Sequence, residues 1–199
     1  MLKRFFDIVS SLAGLVLLLP LFIIIVIVII TTDGAPLFYF QTRVGKNNTD
    51  FKLFKFRSMY KDADKKGLLT VGGRDPRVTP IGYYLRKYKL DELPQLLNVL
   101  IGNMSLVGPR PEVRKYVDLY TKEQMQVLSV KPGITDLASI YFINENELLA
   151  QSSEPEKTYI NEILPQKLKL NLEYIAKQHF LTDIKIILNT IFKIGYNRN

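Results

Sequence analysis

Lys89-Leu-Asp-Glu-Leu-Pro-Gln-Leu-Leu-Asn-Val-Leu-Ile-Gly-Asn-Met-Ser-Leu-Val-Gly-Pro-Arg-Pro-Glu112 sets the reading of the whole chain. Two adjacent carboxylates, Asp91 and Glu92, stand directly before an apolar run. In that run Leu93, Leu96, Leu97, Leu100 and Ile101 follow the i, i+3, i+4, i+7 spacing of one helix face. Acidic residues at such a point, with Pro94 in the first turn, mark a helix start. Taken alone, they would do no more than complement the helix dipole, for about 0.3–1 kcal/mol each. Beyond the helix, Gly108-Pro109-Arg110-Pro111 holds an arginine between two prolines. Together these features place an acid pair at a positive helix terminus and a stiffly held guanidinium further on, equipment for gripping phosphate and attacking it.

The remaining composition narrows the chemistry. At 199 residues the chain suits one domain with a small appendage. It has no cysteine, which excludes disulfides and thiolate zinc sites. A single histidine, His179, leaves no His-pair metal site. An enzyme built from this inventory relies on carboxylates, Lys, Arg and oxygen-bound metals such as magnesium. The formal charge of +8 calls for anionic partners: nucleic acid, a phospholipid surface or a phosphorylated substrate. No helix-turn-helix or RNA-binding motif is visible, so nucleic acid is not expected.

Working towards the amino terminus, residues 8–30 are almost wholly apolar, interrupted by Ser10, Ser11, Gly14 and Pro20. As one helix this run would reach about 35 Å, enough for a bilayer core of roughly 30 Å. A single crossing is the default by hydropathy. Two observations favour a re-entrant hairpin. Pro20 sits near the middle and kinks a helix. Lys3-Arg4 flanks one end and a basic domain follows the other, so both ends prefer the cytoplasmic side. The break is expected at Leu19-Pro20, with Ser10 or Ser11 as donors to the freed carbonyls. The chain thus divides into a membrane-inserted segment, residues 1–32, and a catalytic domain, residues 33–199.

After an exit turn at Thr31–Pro36, short strands are expected at Pro36–Gln41 and Phe51–Arg57, with a hairpin linker between them. Lys55 and Arg57 share a strand face and are placed to line a cleft, or else form a solvated or lipid-facing basic face. A polar connector at Lys61–Gly67 and Gly72–Arg77 precedes a short basic helix at Gly82–Lys89. Pro111–Val130 has the pattern of an amphipathic helix, with Val113, Val117, Tyr120, Met125 and Leu128 towards a core. Asn144–Glu156 is acidic and polar, and Thr158–Phe180 reads as helix again. The last helix, Thr182–Ile194, puts Ile184, Ile187, Leu188 and Ile191 on one side and Lys185 and Lys193 around it, a pattern for an interfacial helix or for ordinary core packing. The fold class expected is α+β, helix-dominated: a re-entrant hairpin plus one compact domain with a small strand pair and interfacial amphipathic helices.

An ordered series of motifs resembles the bacterial sugar transferases, the monotopic phosphoglycosyl transferases. It comprises Lys3-Arg-Phe-Phe-Asp7, Phe40-Gln-Thr-Arg-Val-Gly45, Phe54-Lys-Phe-Arg-Ser-Met59, Asp75-Pro-Arg-Val-Thr-Pro80, Leu90-Asp-Glu-Leu-Pro-Gln-Leu96, Met104-Ser-Leu-Val-Gly-Pro-Arg-Pro111 and Lys131-Pro-Gly-Ile-Thr135. The resemblance implies transfer of a sugar-1-phosphate from a UDP-sugar to polyprenyl (undecaprenyl) phosphate with release of UMP. It also implies a covalent phosphosugar on Asp91, with Glu92 as partner acid and Mg2+ as cofactor. Arg110, between Pro109 and Pro111, matches the arginine expected near the nucleotide, and a guanidinium binds phosphate through two parallel hydrogen bonds. Arg43, Lys55, Arg57, Arg77 and Arg86 are further candidates for substrate phosphates, with lipid headgroups as the rival partner. Asp183 resembles a late acidic position and is a metal-contact candidate beside Asp91 and Glu92, or a helix cap. The implied location is the bacterial inner (cytoplasmic) membrane, with the catalytic domain on the cytoplasmic face.

The chain also departs from the pattern. Leu19 precedes Pro20 where members often have Ser. After Thr135 it reads Asp136-Leu-Ala-Ser-Ile-Tyr-Phe-Ile-Asn-Glu-Asn-Glu147 in place of Gly-Trp-Ala-Gln and a basic segment, so sugar specificity does not transfer. A non-enzymatic basic lipid-binding module and a membrane-anchored phosphatase are the alternative classes.

Overall fold

The computed structural model describes residues 2–72 and 75–196; the part of the polar connector at residues 73–74 lies outside the described residues. The apolar amino-terminal run forms two helices, α1 (Leu2–Leu17) and α2 (Leu19–Thr32), bent by 58°. The break falls at Leu18, and Pro20 lies in the first turn of α2, where its missing N–H has no helical acceptor to lose. No described helix is by itself long and apolar enough to cross a membrane; this bent pair is by length and composition. Of the two serines expected as donors at the break, Ser11 does not serve: its hydroxyl is buried without a hydrogen-bond partner.

Charged residues at the start of α1 tie it into the rest of the molecule. Arg4 donates to the carbonyls of Val99 and Leu100 at 2.6 and 2.9 Å. Asp7, buried, accepts from Ser105 Oγ and Leu106 N, each at 3.1 Å. Lys3 donates to the Val107 carbonyl at 2.9 Å and ion-pairs with Asp183. In α2, Ile25 and Ile29 pack with Phe56 and Leu85, so the packing continues across the expected boundary at residue 32.

The expected strand pair is present, with the first strand running on to Val44 instead of ending at Gln41. Strands β1 (Phe38–Val44) and β2 (Asp50–Phe56) are antiparallel, with Phe38 opposite Phe56 and Val44 opposite Asp50. The connection is correspondingly tight, with Asn47 and Asn48 at positive φ, which asparagine tolerates. Helix α3 (Pro80–Lys87) begins at Thr79, whose hydroxyl accepts from Gly82 N at 3.0 Å.

Helix α4 (Gln95–Ile101) contains the apolar run, but its buried face is not the predicted one. Gln95, Asn98 and Val99 point inward, while Leu97 and Ile101 are exposed. Hydrogen bonding explains the rotation. The Asn98 carboxamide accepts from Phe54 N at 2.9 Å and donates to the Lys52 carbonyl at 2.7 Å, completing the edge of β2.

A second strand pair, invisible in the periodicity, follows. Strands β3 (Ser105–Val107) and β4 (Gly133–Thr135) are parallel. Their close approach needs glycine: a Cβ on Gly133 would lie 2.1 Å from Gly108 N, and one on Gly108 2.4 Å from the Lys131 carbonyl.

The helix expected over Pro111–Val130 is broken. It consists of α5 (Arg114–Val117) and a 3-10 segment, Gln124–Ser129. Of the residues expected towards a core, Val113 and Val117 are buried and Tyr120 and Leu128 pack partly buried against the cluster that holds Val113, whereas the 3-10 segment buries Val127 in place of Met125. Helix α6 (Leu137–Tyr141) precedes the acidic segment, which contains α7 (Glu145–Ala150). Helix α8 (Pro155–Thr158) passes through a π-helical turn, Tyr159–Ile163, into α9 (Leu164–Ala176). Pro165 lacks the N–H that would bond the Asn161 carbonyl, which gives a reason for the wide turn. Helix α10 (Phe180–Tyr196) buries Asp183 and Ile186, whereas Leu188 and Ile191 from the predicted apolar side are exposed.

The Asn98 bonds generate a prediction. Asn98→Ala leaves a buried N–H and carbonyl on the β2 edge unpaired, and should cost about 2–4 kcal/mol. Unfolding in detergent would show it as a lowered denaturation midpoint; a change below about 0.5 kcal/mol would mean that water replaces the carboxamide.

Candidate active site

Asp91 and Glu92 lie on a 3-10 turn, Leu90–Glu92, one turn ahead of α4 and not in its first turn as expected. Lys89 opens that turn in the left-handed conformation, φ 56°. The turn packs against β2 and α3, which brings Lys55 and Arg86 to the acid pair. Side chains, more than a helix terminus, therefore set its electrostatics.

The two acids have unequal surroundings. Glu92 accepts from Lys55 Nζ at 3.0 Å and from both terminal nitrogens of Arg110, one of them at 3.1 Å. This is the bidentate geometry of a guanidinium with a carboxylate. Burial alone would raise the Glu92 carboxyl, but Arg110 and Lys55 more than reverse that and hold it well below its ordinary value. Glu92 in turn raises the Arg110 guanidinium. The Lys55 ammonium is lowered by burial, with Glu92 partly restoring it. Asp91 is 4% exposed and has no hydrogen bond or ion pair among the described residues. Burial raises its carboxyl, with Lys55 opposing and Glu92 adding to the rise.

The pair borders a cleft of about 1120 Å³, reached also by Arg43, Arg86, Lys89, Tyr159 and Lys167. Arg43, on β1, donates to Gln41 and to the Pro111 carbonyl, and lies 3.4 Å from Glu112. Lys55 and Arg110 thus meet at Glu92, and Arg43 lies close enough for its charge to act on Lys55.

Three other basic candidates have structural partners. Arg57 donates to the carbonyls of Asp33 and Gly34, both at 2.7 Å, and so fastens the end of α2. Arg77 is held by Asp75 and by the connector carbonyls of Gly67 and Leu69. Arg86 donates to Thr70 Oγ1 at 2.7 Å while its charge reaches Asp91. Asp183 does not join the acid pair: it is engaged by Lys3 and accepts from Tyr174 at 2.6 Å, fixing α10 to α1. Among the described residues no group of three or more potential ligands forms a metal cluster.

Several site residues escaped the sequence reading. Glu112 accepts from Tyr159 at 2.5 Å and lies 3.8 Å from Lys167, which also bonds Glu145 at 2.9 Å. Burial would raise Glu112, but Lys167 and Arg43 hold its carboxyl below the ordinary value. Its position directly after Pro111 was a signal. Tyr159 and Lys167 gave none, because they arrive from distant helices.

The sequence model for bacterial sugar transferases matches residues 1–196. The chain is 40% identical over 202 aligned positions to the galactosyl transferase CpsE of Streptococcus agalactiae, covering 95% of this chain and 41% of the relative. It is 36% identical to the UDP-glucose:undecaprenyl-phosphate glucose-1-phosphate transferase of Escherichia coli, covering all of this chain and 41% of that protein. A sugar transferase of Bacillus subtilis, EpsL, is 37% identical, with 97% of this chain and 87% of the relative aligned. The chain therefore spans about two fifths of the first two relatives, 41% of each, and most of the third. With a family match over nearly its whole length and with the acid pair and Arg110 assembled at one cleft, the chain belongs to the bacterial sugar transferase family.

Proposed function

We propose that the protein transfers a sugar-1-phosphate from a UDP-sugar to polyprenyl phosphate, releasing UMP, as the first membrane step of a polysaccharide or glycoprotein glycan. The observation that carries this reading is the unpartnered, buried carboxylate of Asp91 beside a Glu92 already neutralised by Lys55 and Arg110. An acid whose only role was structural would be expected to have partners of its own. Relatives named as undecaprenyl-phosphate sugar phosphotransferases support the substrate class.

In the reaction proposed, an Asp91 oxygen attacks the phosphorus bearing the sugar. The bond from that phosphorus to the bridging oxygen breaks, and UMP departs with the bond's electron pair. An oxygen of polyprenyl phosphate then attacks the same phosphorus, and Asp91 leaves as a carboxylate. Splitting one displacement into two is the usual benefit of a carboxylate nucleophile. Phosphoryl transfer otherwise depends on positioning and charge neutralisation. Arg110, with Lys55 and Arg43 beside it, serves the donor's phosphates, and Glu92 holds Arg110 and Lys55 in place between turnovers.

The free oxygens of Asp91 suit Mg2+, which commonly takes only one or two carboxylates together with substrate phosphates and water. Bound there, Mg2+ would offset charge developing on the departing UMP. Glu92, committed to Arg110 and Lys55, is the weaker candidate ligand, and Asp183 is separately engaged.

The setting proposed is the bacterial cytoplasmic membrane. The α1–α2 pair enters and leaves one leaflet, and the exposed apolar side chains Leu188, Ile191 and Phe192 of α10 lie at the interface. Such an arrangement keeps the cleft level with a polyprenyl phosphate headgroup.

UMP release by detergent-purified protein with magnesium, undecaprenyl phosphate and a panel of UDP-sugars tests the reading. Asp91→Asn should reduce release by about a thousandfold or more and abolish the phosphosugar mass adduct. Equal activity in that variant would remove Asp91 as nucleophile. Continued turnover without polyprenyl phosphate would identify a hydrolase, because a transferase stalls after at most one equivalent.

The raised Asp91 carboxyl has a thermodynamic consequence. The unfolded chain ionises near the ordinary value of 3.8, whereas the folded site retains the proton to higher pH. Stability from this group is present below 3.8 and is lost as pH rises through the folded value. Asp91→Asn should therefore gain stability over the wild type as pH rises through that window, and thermal melts across the acidic range should show the two curves diverging. Parallel curves would mean that the carboxylate is not buried at an energetic cost.

A further inference from the structure

Asp136 is fully buried, yet it has no ion pair among the described residues. Its two oxygens serve different elements. One accepts from Ser139 N at 2.6 Å and caps α6; the other accepts from the backbone N–H of Arg110 at 3.0 Å. Both are charge-assisted hydrogen bonds, which are stronger than neutral ones. The loop around Arg110 is gripped at two further backbone points, Gly108 N to the Thr135 carbonyl at 3.1 Å and Gly133 N to the Pro109 carbonyl at 3.0 Å. Those bonds fix the strand-like start of the loop. Between Pro109 and Pro111, only Arg110 has an amide hydrogen, and Asp136 takes it.

We propose that Asp136 is a positioning residue for Arg110, holding the peptide from which the guanidinium reaches Glu92 and, on the reading above, the donor phosphates. Because the same carboxylate starts α6, it links the bearing of Arg110 to a cleft wall that includes Ser139, Ile140 and Phe142.

A substitution separates the two jobs. Asp136→Ser retains a helix-capping oxygen but is too short to serve Arg110 as well. Hydrogen exchange reads the anchor without any activity, since Arg110 supplies the single exchangeable amide of Pro109–Pro111. In Asp136→Ser that amide should exchange at least about tenfold faster than in the wild type, a larger change than at the amides of α9, which report overall stability. UMP release should fall about ten- to a hundredfold in kcat/KM. In an Arg110→Ala background the same substitution should cost less than about threefold, because a residue acting through Arg110 has nothing left to position. Wild-type protection and activity in Asp136→Ser would overturn the proposal and reduce Asp136 to a cap. An equal loss with and without Arg110 would overturn it too. If the wild-type protein released no UMP from any donor, the transferase reading would fail, and amide exchange alone would decide the role of Asp136.

Discussion

The carboxamide of Asn98 joins the two parts of the chain on which the site depends. By taking Phe54 N and giving a hydrogen bond to the Lys52 carbonyl, it fixes α4 against the open edge of β2. Lys55 lies one residue beyond Phe54, and Glu92 lies on the turn leading into α4. The 3.0 Å contact between Lys55 and Glu92 is thus set by an amide that touches neither. A buried carboxamide left unpaired would be costly, so this docking has one geometry and little tolerance for sliding. Arg4 adds to it from the other side by occupying carbonyls at the end of the same helix.

With that docking in place, burial and pairing give two neighbouring acids different characters. Glu92 receives a guanidinium and an ammonium and stays ionised. Asp91 receives the same desolvation without a bonded partner, so its charge is held at an energetic cost. The contrast does not need the dipole of α4, which is short and begins after the acid pair. The parallel β3–β4 pair supplies Arg110 from the opposite side, through glycine contacts too close for any side chain.

Much of the architecture was legible because it follows from local rules. The bent apolar pair, the hairpin of β1 and β2 and the basic helix carry their periodicity and punctuation in the chain; the last helix is placed by its pattern, but its buried face, Asp183 and Ile186, is not. Pro20 and the asparagines of the hairpin turn are read directly from backbone preferences. Failures have physical causes. Leu97 and Ile101 promised an inward face, but Asn98 and Gln95 took it, because an available strand edge outweighed apolar area on a short helix. The regular pattern after Pro111 concealed a break, since α5 buries Val117 and a separate turn buries Val127 in place of the expected Met125. Arg57 and Arg77, read as candidate phosphate ligands, both border the cleft, and in the fold backbone carbonyls take part of their hydrogen bonding.

The residue types and their order by themselves determined the chemistry available here: carboxylates and arginines without thiols or paired histidines, a broken apolar segment, and an acid pair followed by Pro-Arg-Pro. Side-chain inventory and local backbone stiffness are properties of the chain and need no tertiary contact. The tertiary structure alone decided which acid is paired and which is free, which basic side chains face the acid pair, and that Asp136 holds the Arg110 peptide. Those outcomes depend on desolvation and on hydrogen bonds between segments far apart in sequence, and neither exists until the chain has packed.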